Sequence, residues 1–464
     1  MNQASPASPR LGFGSDGLRR WALLLLVLAA IPDVLPYAGL KSLIGDRFGK
    51  SDAEIQLFAL AALFGALAAV PLMRRLRLQS PRRVFAVAAL VQAVAIALMA
   101  LPVSWELLLV LRGIQGGADL LTLVTLTTVV ASHARGSGRG FGASGAAILF
   151  GLGIGLAGGG ILATFNPLAV FPLAALISLL LALAAAGLPA LHVAARRSGT
   201  PRRFDQRIIM GGAFAASDRM ITGMMSAGLP LLLVASMGLE KSMVGIVLAA
   251  PLLACAAGGY FSGMLIDRIG PLVGRTLGVP LQAIGVGLVV VSGGEVWLLA
   301  VGTTVLSLGA MILLPTSMVI GTSTRTDQIE ADAVGGIQAI GQGGHLVGVL
   351  LILMGSLIAG SVTVLGILAI LGVYLLWNVA FLYTLRARTV SIPRPGPHFA
   401  LGSRQLVGPR PARSTRARGA VIETLVETYD GPRPSTNPTP MDETCPNTNT
   451  NASKTVSSSP SFGP

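Results

Sequence analysis

From Val244 to Gly270 the chain reads VGIVLAAPLLACAAGGYFSGMLIDRIG. Its first twenty residues, to Gly263, carry no charge. As a helix they would extend about 30 Å, the thickness of a bilayer's hydrocarbon core. A short charged link with Asp267 and Arg268 follows, and a second uncharged run begins at Leu277. Two apolar spans joined by a tight polar turn are thus written into one stretch, and the pattern repeats along most of the chain. Of the 464 residues 53% are hydrophobic, only 12% are charged, and the mean hydropathy is +0.73. A soluble domain has about a quarter of its residues charged. The composition therefore excludes an ordinary soluble globule and any soluble enzyme domain, and indicates an all-α integral membrane protein.

Working outward, the spans read as residues 21–44, 55–72, 84–101, 107–131, 143–163 and 168–188, then 208–234, 244–263, 277–292, 297–321, 334–359 and 362–385. A dozen spans of ~20 residues leave only short links before Leu385, so no large soluble domain fits between them. With the amino terminus inside, 18 lysines and arginines fall in cytoplasmic segments before the tail, against Lys41, Arg47, Lys50 and Lys241 outside. The positive-inside rule puts both termini in the cytoplasm. Arg19, Arg20 and the apolar run after Trp21 also suit a signal peptide, but the run outlasts a signal core and no clean cleavage site follows. The basic linker 189–207 separates two groups of six spans. An offset of 189 to 192 residues lays Gly238 on Gly49 and Trp297 on Trp105, as an internal duplication would. The expected organisation is a cytoplasmic segment 1–20, a six-helix bundle 21–188, the linker, a second bundle 208–385, and a disordered cytoplasmic tail 386–464 rich in Pro, Ser, Thr, Asn and Arg. On that side the sequon at Asn451 has no glycosylation to receive. Cys255 and Cys445 lie in an apolar span and a polar tail, which excludes a disulfide framework. The excess of Lys and Arg, 34 against 20 acids, follows the membrane's charge rule better than a nucleic-acid partner.

Three motifs bear on family. Gly263-Met-Leu265-Ile-Asp267-Arg268-Ile-Gly270 joins spans eight and nine, Arg112-Gly-Ile-Gln115-Gly116-Gly-Ala118 opens span four, and Gly151-x-x-x-Gly155-Leu156-x-x-Gly159-Gly160 runs through span five. They resemble, in turn, the G-x-L-x-D-R-x-G loop of the major facilitator superfamily, its R-x-x-Q-G signature, and the G-x-x-x-G-P-x-x-G-G pattern of its proton-driven exporters. The resemblance covers residues 15–390 or so. Two departures stand out: the first-half loop has Leu78 and Pro81 where the signature has an acid and a glycine, and Leu156 replaces the exporter proline. The resemblance implies twelve transmembrane helices in two pseudo-symmetric six-helix bundles that rock about a central site, moving a small-molecule substrate by alternating access. It also implies a gating role for Gly263, Asp267, Arg268 and Gly270, and close helix packing at Gly151, Gly155, Gly159 and Gly160.

Six ionisable residues fall inside predicted spans: Asp33, Arg112, Asp119, Asp218, Arg219 and His345. At about 2.5–3.5 kcal/mol each at a helix centre, they are expected to line a cavity as substrate or proton pathway. Asp33, Asp218 and His345 count to mid-depth, roughly 16–18 Å along their helices. Asp33 lies between Pro32 and Pro36, which free backbone carbonyls; a transport role and a paired acid at a kink both suit it. Arg112 and Asp119 share a face about 10.5 Å apart, so Arg112 is expected to pair with another helix. Asp218 and Arg219 point about 100° apart, so one of them needs a partner elsewhere. The alternative to proton coupling is a static bridge, Asp218 to Arg112 or Arg219 to Asp33, holding the halves together. His345 suits a proton relay, substrate binding or a satisfied core position. Trp105 and Trp297 read as interfacial anchors. Cys255 and the methionines Met220, Met224 and Met225 read as packing.

The function expected is a secondary active transporter of the inner membrane, without enzymatic activity, cofactor or metal, probing no nucleic acid and acting as a monomer with protons as the coupling ion. Export comes first, from the span-five glycines, and uptake second. A membrane-embedded enzyme would need clustered catalytic groups at the surface, and His133, His192, His345 and His398 are scattered. No Walker pattern is present. A scaffold or sensor working through its tail would lose function on deletion of residues 391–464, whereas a transporter would survive it.

Overall fold

The computed structural model describes residues 15–76, 81–133, 137–185, 206–293, 295–322, 331–359 and 364–387. Leu78, nearly all of the linker 189–207 and of the tail 386–464, and with them Cys445 and Asn451, lie outside the described residues. Among the described residues there is no strand. The first half comprises α1 (Ser15–Val34), a 3-10 turn (Tyr37–Gly39), a π turn (Lys41–Asp46), α2 (Asp52–Leu76), α3 (Pro81–Met99), α4 (Trp105–His133), α5 (Gly138–Phe165) and α6 (Val170–Ala184). The second comprises α7 (Gln206–Gly223), a π turn (Met224–Gly228), α8 (Leu229–Met237), α9 (Lys241–Ile269), α10 (Pro271–Val291), α11 (Val296–Thr322), α12 (Ala331–Ala359) and α13 (Val364–Ala387). Among the described residues, eleven helices are long and apolar enough to cross a membrane. The remaining span is compound: α7, the π turn and α8 run on from one another, and Asp218 and Arg219 lower the apolarity of this stretch.

Three expected boundaries are corrected. Span one is one continuous helix only to Val34, because Pro36 has no amide hydrogen and disfavours helical backbone at Leu35; the chain then tightens and widens through the two turns. Span seven is interrupted by its π turn. The link between spans eight and nine is not a loop from Gly263: α9 continues to Ile269, since nothing between Gly263 and Ile269 breaks a helix. The turn is confined to Gly270, at φ +85°, followed by Pro271 at the first position of α10, a glycine stop and a proline start. Gly49 and Gly238, superposed by the 189-residue offset, both have positive φ, +64° and +61°.

Within the first half α4 packs on α2 and α3, α1 on α5, and α3 on α6; within the second α10 packs on α11, α7 on α12, and α9 on α11. The halves meet along α5 and α9 and along α2 and α12. Glycine makes the first seam possible. A Cβ on Gly142 would fall 2.5 Å from the Gly259 carbonyl oxygen, and one on Gly160 2.5 Å from that of Lys241, so these backbones touch. At the second seam the buried Gln56 amide donates to Ser356 Oγ at 2.8 Å.

Candidate functional site

The polar groups inside the helices fall into three levels. Arg112, seven residues into α4, is buried at 2% exposure and donates to Asp33 Oδ1 at 2.9 Å and to the Tyr37 hydroxyl at 3.0 Å. Its other prong bonds Gln115, and its plane lies over the Phe58 ring at 4.6 Å. The break after Val34 is what turns Tyr37 toward it. A guanidinium supplies five donors in a fixed fork, and this pocket of carboxylate, hydroxyl, amide and aromatic face matches it closely.

Asp119 and His345 are each fourteen residues from both ends of their 29-residue helices, α4 and α12, and so share the middle level. Asp119 is buried and accepts a hydrogen bond from Gln92 Nε2 at 3.3 Å. His345 Nε2 lies 2.9 Å from Ser226 Oγ. Arg219 bonds Gln338 and lies along Gly341, whose hydrogen leaves room for it: a Cβ there would be 3.0 Å from Arg219 Cδ. Among the described residues, none of Asp119, Arg219 and His345 has an oppositely charged group within the 4.0 Å of an ion pair.

The third level holds Asp218, gripped by both prongs of Arg275 at 3.2 Å each. Ser217 and Ser317 donate to its carboxylate, Arg275 also bonds Ser217 and Asn378, and the Arg275 plane stacks 3.9 Å over Phe214. This cluster ties α7, α10, α11 and α13 together. Arg275 lies four residues after Pro271, which draws Asp218 toward the end of the molecule where α10 begins. Arg112 stands about 10.5 Å along α4 from Asp119 on the opposite side. Asp33 and Asp218 are therefore not at the common mid-depth that counting along each span suggested, because their partners enter from opposite ends. The static bridge between halves is also corrected: Asp33–Arg112 lies within the first half and Asp218–Arg275 within the second.

The fold is shared with two solved transporters. The crystal structure of the human organic anion transporter MFSD10 (TETRAN) aligns with a TM-score of 0.58 at 16% identity, over 80% of this chain and 100% of its own. That of the nucleoside transporter NupG, in a mutant form, aligns with a TM-score of 0.61 at 15% identity, over 79% and 99%. At such identities the likeness is one of fold. In sequence, residues 22–210 match the family described as Major Facilitator Superfamily, which takes in α1 to α6 and the start of α7. Residues 22–210 thus carry the sequence pattern of the Major Facilitator Superfamily, and the described helices as a whole share the fold of these two transporters. Among the described residues eleven helices are long and apolar enough to cross a membrane, as a multi-pass membrane protein of this fold has. No curated protein matches it in sequence.

Within this fold the loop residues divide sharply. Asp267 crosses to the other half and caps α5, accepting from the Gly138 amide at 2.6 Å and the Arg139 amide at 3.1 Å. Gly263 permits that approach, since a Cβ on it would be 2.2 Å from the Gly138 carbonyl oxygen. Gly270 makes the turn, whereas Arg268 is exposed and, among the described residues, has no ion-pair partner. Of the span-five glycines, Gly151 and Gly155 lie on α1 and Gly159 on Leu35 just after it, while Gly160 lies on α9. Trp105 packs on Phe48, Trp297 is 65% exposed, and Cys255 is buried beside Leu149 and Ala256. Sequence reasoning missed Arg275, taken for a cytoplasmic loop residue because the span was started after the last charge. The signal that finds it is the Gly270-Pro271 pair, which starts the helix nearly two turns earlier and carries Arg275 inside.

Proposed function

We propose that this transporter is proton-coupled, that Asp119 takes the proton, and that a small polar solute moves through the space between the two halves by alternating access. The observation that carries the reading is the pairing pattern. Asp33 and Asp218 are each occupied by an arginine in an ion pair. Asp119 is the carboxyl at the middle level without such a partner. Burying a carboxylate without a counter-charge is costly, and binding a proton removes the cost. The charged and titratable groups that interact with it are Asp33 on α1, Tyr37 in the turn that follows, Arg112 on α4 and Arg219 on α7; α3 contributes the neutral Gln92. Proton uptake at Asp119 depends on which of these its side chain meets as the halves move. Asp267 serves as the latch of one conformer. The excess of basic residues in the links on one side supports cytoplasmic termini, and the reading is of a monomer in the inner membrane.

Export and uptake differ in whether proton and solute occupy the space in turn or together. The span-five glycines support export; the lone Arg219 supports joint occupancy. The two solved relatives in fold carry unlike solutes by their names, so the fold itself selects none.

The test uses purified protein in proteoliposomes with an imposed pH gradient and a labelled solute panel. Asp119→Asn is expected to abolish gradient-driven accumulation while leaving solute exchange measurable, because an amide hydrogen-bonds but carries no exchangeable charge-neutralising proton. An Asp119→Asn protein that still concentrates solute with wild-type proton dependence refutes the assignment.

A further inference from the structure

Asp267 closes one end of the seam between α5 and α9; different chemistry closes the other end. The Ala163 carbonyl, near the finish of α5, would take its helical hydrogen from the residue four places on, which is Pro167 and has none. Lys241, the first residue of α9, donates Nζ to that carbonyl at 3.5 Å. Its charge also suits the negative end of the α5 dipole, as the Asp267 carboxylate suits the positive end. One helix of the second half thus holds both ends of one helix of the first. The link between α1 and α2 lies at the Lys241 end, since a Cβ on Gly39 would be 2.7 Å from Ala163 Cβ. There α2 sets out and α12 finishes: Gln56 is the fifth residue of α2, and Ser356 stands three residues before the last of α12. Gln56 Nε2 donates to Ser356 Oγ at 2.8 Å, and Ser356 passes its own hydrogen to the Ile352 carbonyl at 2.9 Å. Both side chains are buried, in a cluster that is otherwise apolar and includes Ile55, Phe58 and Ile352. The Gln56 Oε1 atom is shielded as well and accepts no hydrogen bond from the described residues.

We infer that Gln56 on Ser356 and Lys241 on the Ala163 carbonyl form the latch of the end opposite Asp267, and that Gln56 keeps this latch weak enough to open. This rests on the alternating-access reading above and names residues that set its balance. A wholly apolar seam would hold that end shut as firmly as the rest of the core. Gln56 instead buries an acceptor without a donor, a cost to the closed form that water removes once the halves part. The two partners of one hydrogen bond should therefore act in opposite senses. Ser356→Ala strands both the donor and the acceptor of Gln56 and favours the open end. Gln56→Leu leaves Ser356 satisfied by Ile352 and the seam apolar, and favours the closed end. A hydrogen bond that only stabilises the fold would be missed equally from either side.

The experiment is hydrogen exchange of the full-length protein in lipid nanodiscs, read at residues 52–60, 160–166 and 353–359 for this end and at residues 137–145 for the Asp267 end. Ser356→Ala should raise exchange about fivefold or more at residues 52–60 and 353–359 and lower it at 137–145. Gln56→Leu should do the opposite at both ends. Lys241→Gln, which takes the charge from the finish of α5, should raise exchange at 160–166 by about threefold and lower it at 137–145. Shifts of the same sign in Ser356→Ala and Gln56→Leu, wild-type exchange in both, or a rise at both ends in Ser356→Ala each overturns the inference, the last because it marks lost stability and not a latch. Should Ser356→Ala not fold, Gln56→Leu and Lys241→Gln decide, and a rise at residues 52–60 in the first or no rise at 160–166 in the second overturns it. Opposite shifts in Ser356→Ala and Gln56→Leu with residues 137–145 unmoved would leave the latch standing and refute the alternation of the two ends. Reciprocal changes at the two ends in Asp267→Ala, with none in the other three variants, would do the reverse.

Discussion

Replacing Asp267 by alanine removes the only side chain that, among the described residues, caps α5 from the other half of the molecule. Its carboxylate accepts from the amides of Gly138 and Arg139, two of the four helix-start donors that have no partner within the helix. Hydrogen bonds to a charged group contribute about 1.5–3 kcal/mol each, and a negative charge at a helix start adds a few tenths more. The side chain is 27% exposed, so water recovers part of that when the bond opens. A net of about 2 kcal/mol is reasonable, which corresponds to roughly a 30-fold change in the equilibrium between latched and open ends. Asp267→Asn keeps one acceptor oxygen and loses the charge, for about half that free energy and roughly a fivefold change. Ser137 still accepts from the Gly140 amide in both variants, so the helix itself survives. The assay is hydrogen exchange of peptides covering residues 137–145 in the reconstituted protein, read beside turnover. Exchange at the first amides of α5 should accelerate in the order alanine, asparagine, wild type, and turnover should fall in both variants while membrane insertion is unchanged. Wild-type exchange and wild-type turnover in a correctly inserted Asp267→Ala protein would refute the latch.

Two further outcomes are expected. Arg275→Ala strands the Asp218 carboxylate and should lower stability by about 3–5 kcal/mol, read as a drop in melting temperature, whereas Arg275→Lys keeps the charge and should lose less; equal melting temperatures would mean that the cluster does not hold α7 to α10. Gly159→Leu should abolish transport, because a Cβ there would already stand 2.1 Å from the Leu35 carbonyl oxygen, while Gly158→Leu, with open space around it, should be close to neutral; similar activity in both would place α5 and α1 further apart than described.

Much of this protein was legible from residue order, for a physical reason. In a bilayer the backbone must satisfy its own hydrogen bonds, so an apolar run of sufficient length has one conformation open to it, and helices, span order and family motifs follow from composition and spacing. The ends of the spans were less legible. A boundary drawn at the last charge assumes that lipid meets every residue beyond it, and that assumption failed at Arg275, which neighbouring helices shield and Asp218 neutralises. Gly270 and Pro271 marked the true boundary, since backbone freedom and ring geometry act locally whatever surrounds them.

Pairing could not be read from order at all. The sequence by itself determined that six ionisable groups enter the membrane, that Arg112 and Asp119 lie on one face of one helix, and that Asp218 and Arg219 cannot serve one another. Only the tertiary structure decided that Asp33 meets Arg112, that Asp218 is taken by Arg275, and that among the described residues Asp119 and Arg219 meet the amides of Gln92 and Gln338 and form no ion pair. The reason is range: helix periodicity sets directions around one axis through bonds a few residues long, whereas which charges cancel depends on how the helix axes pack, and that is settled by glycines such as Gly142, Gly160 and Gly344 that let particular backbones approach.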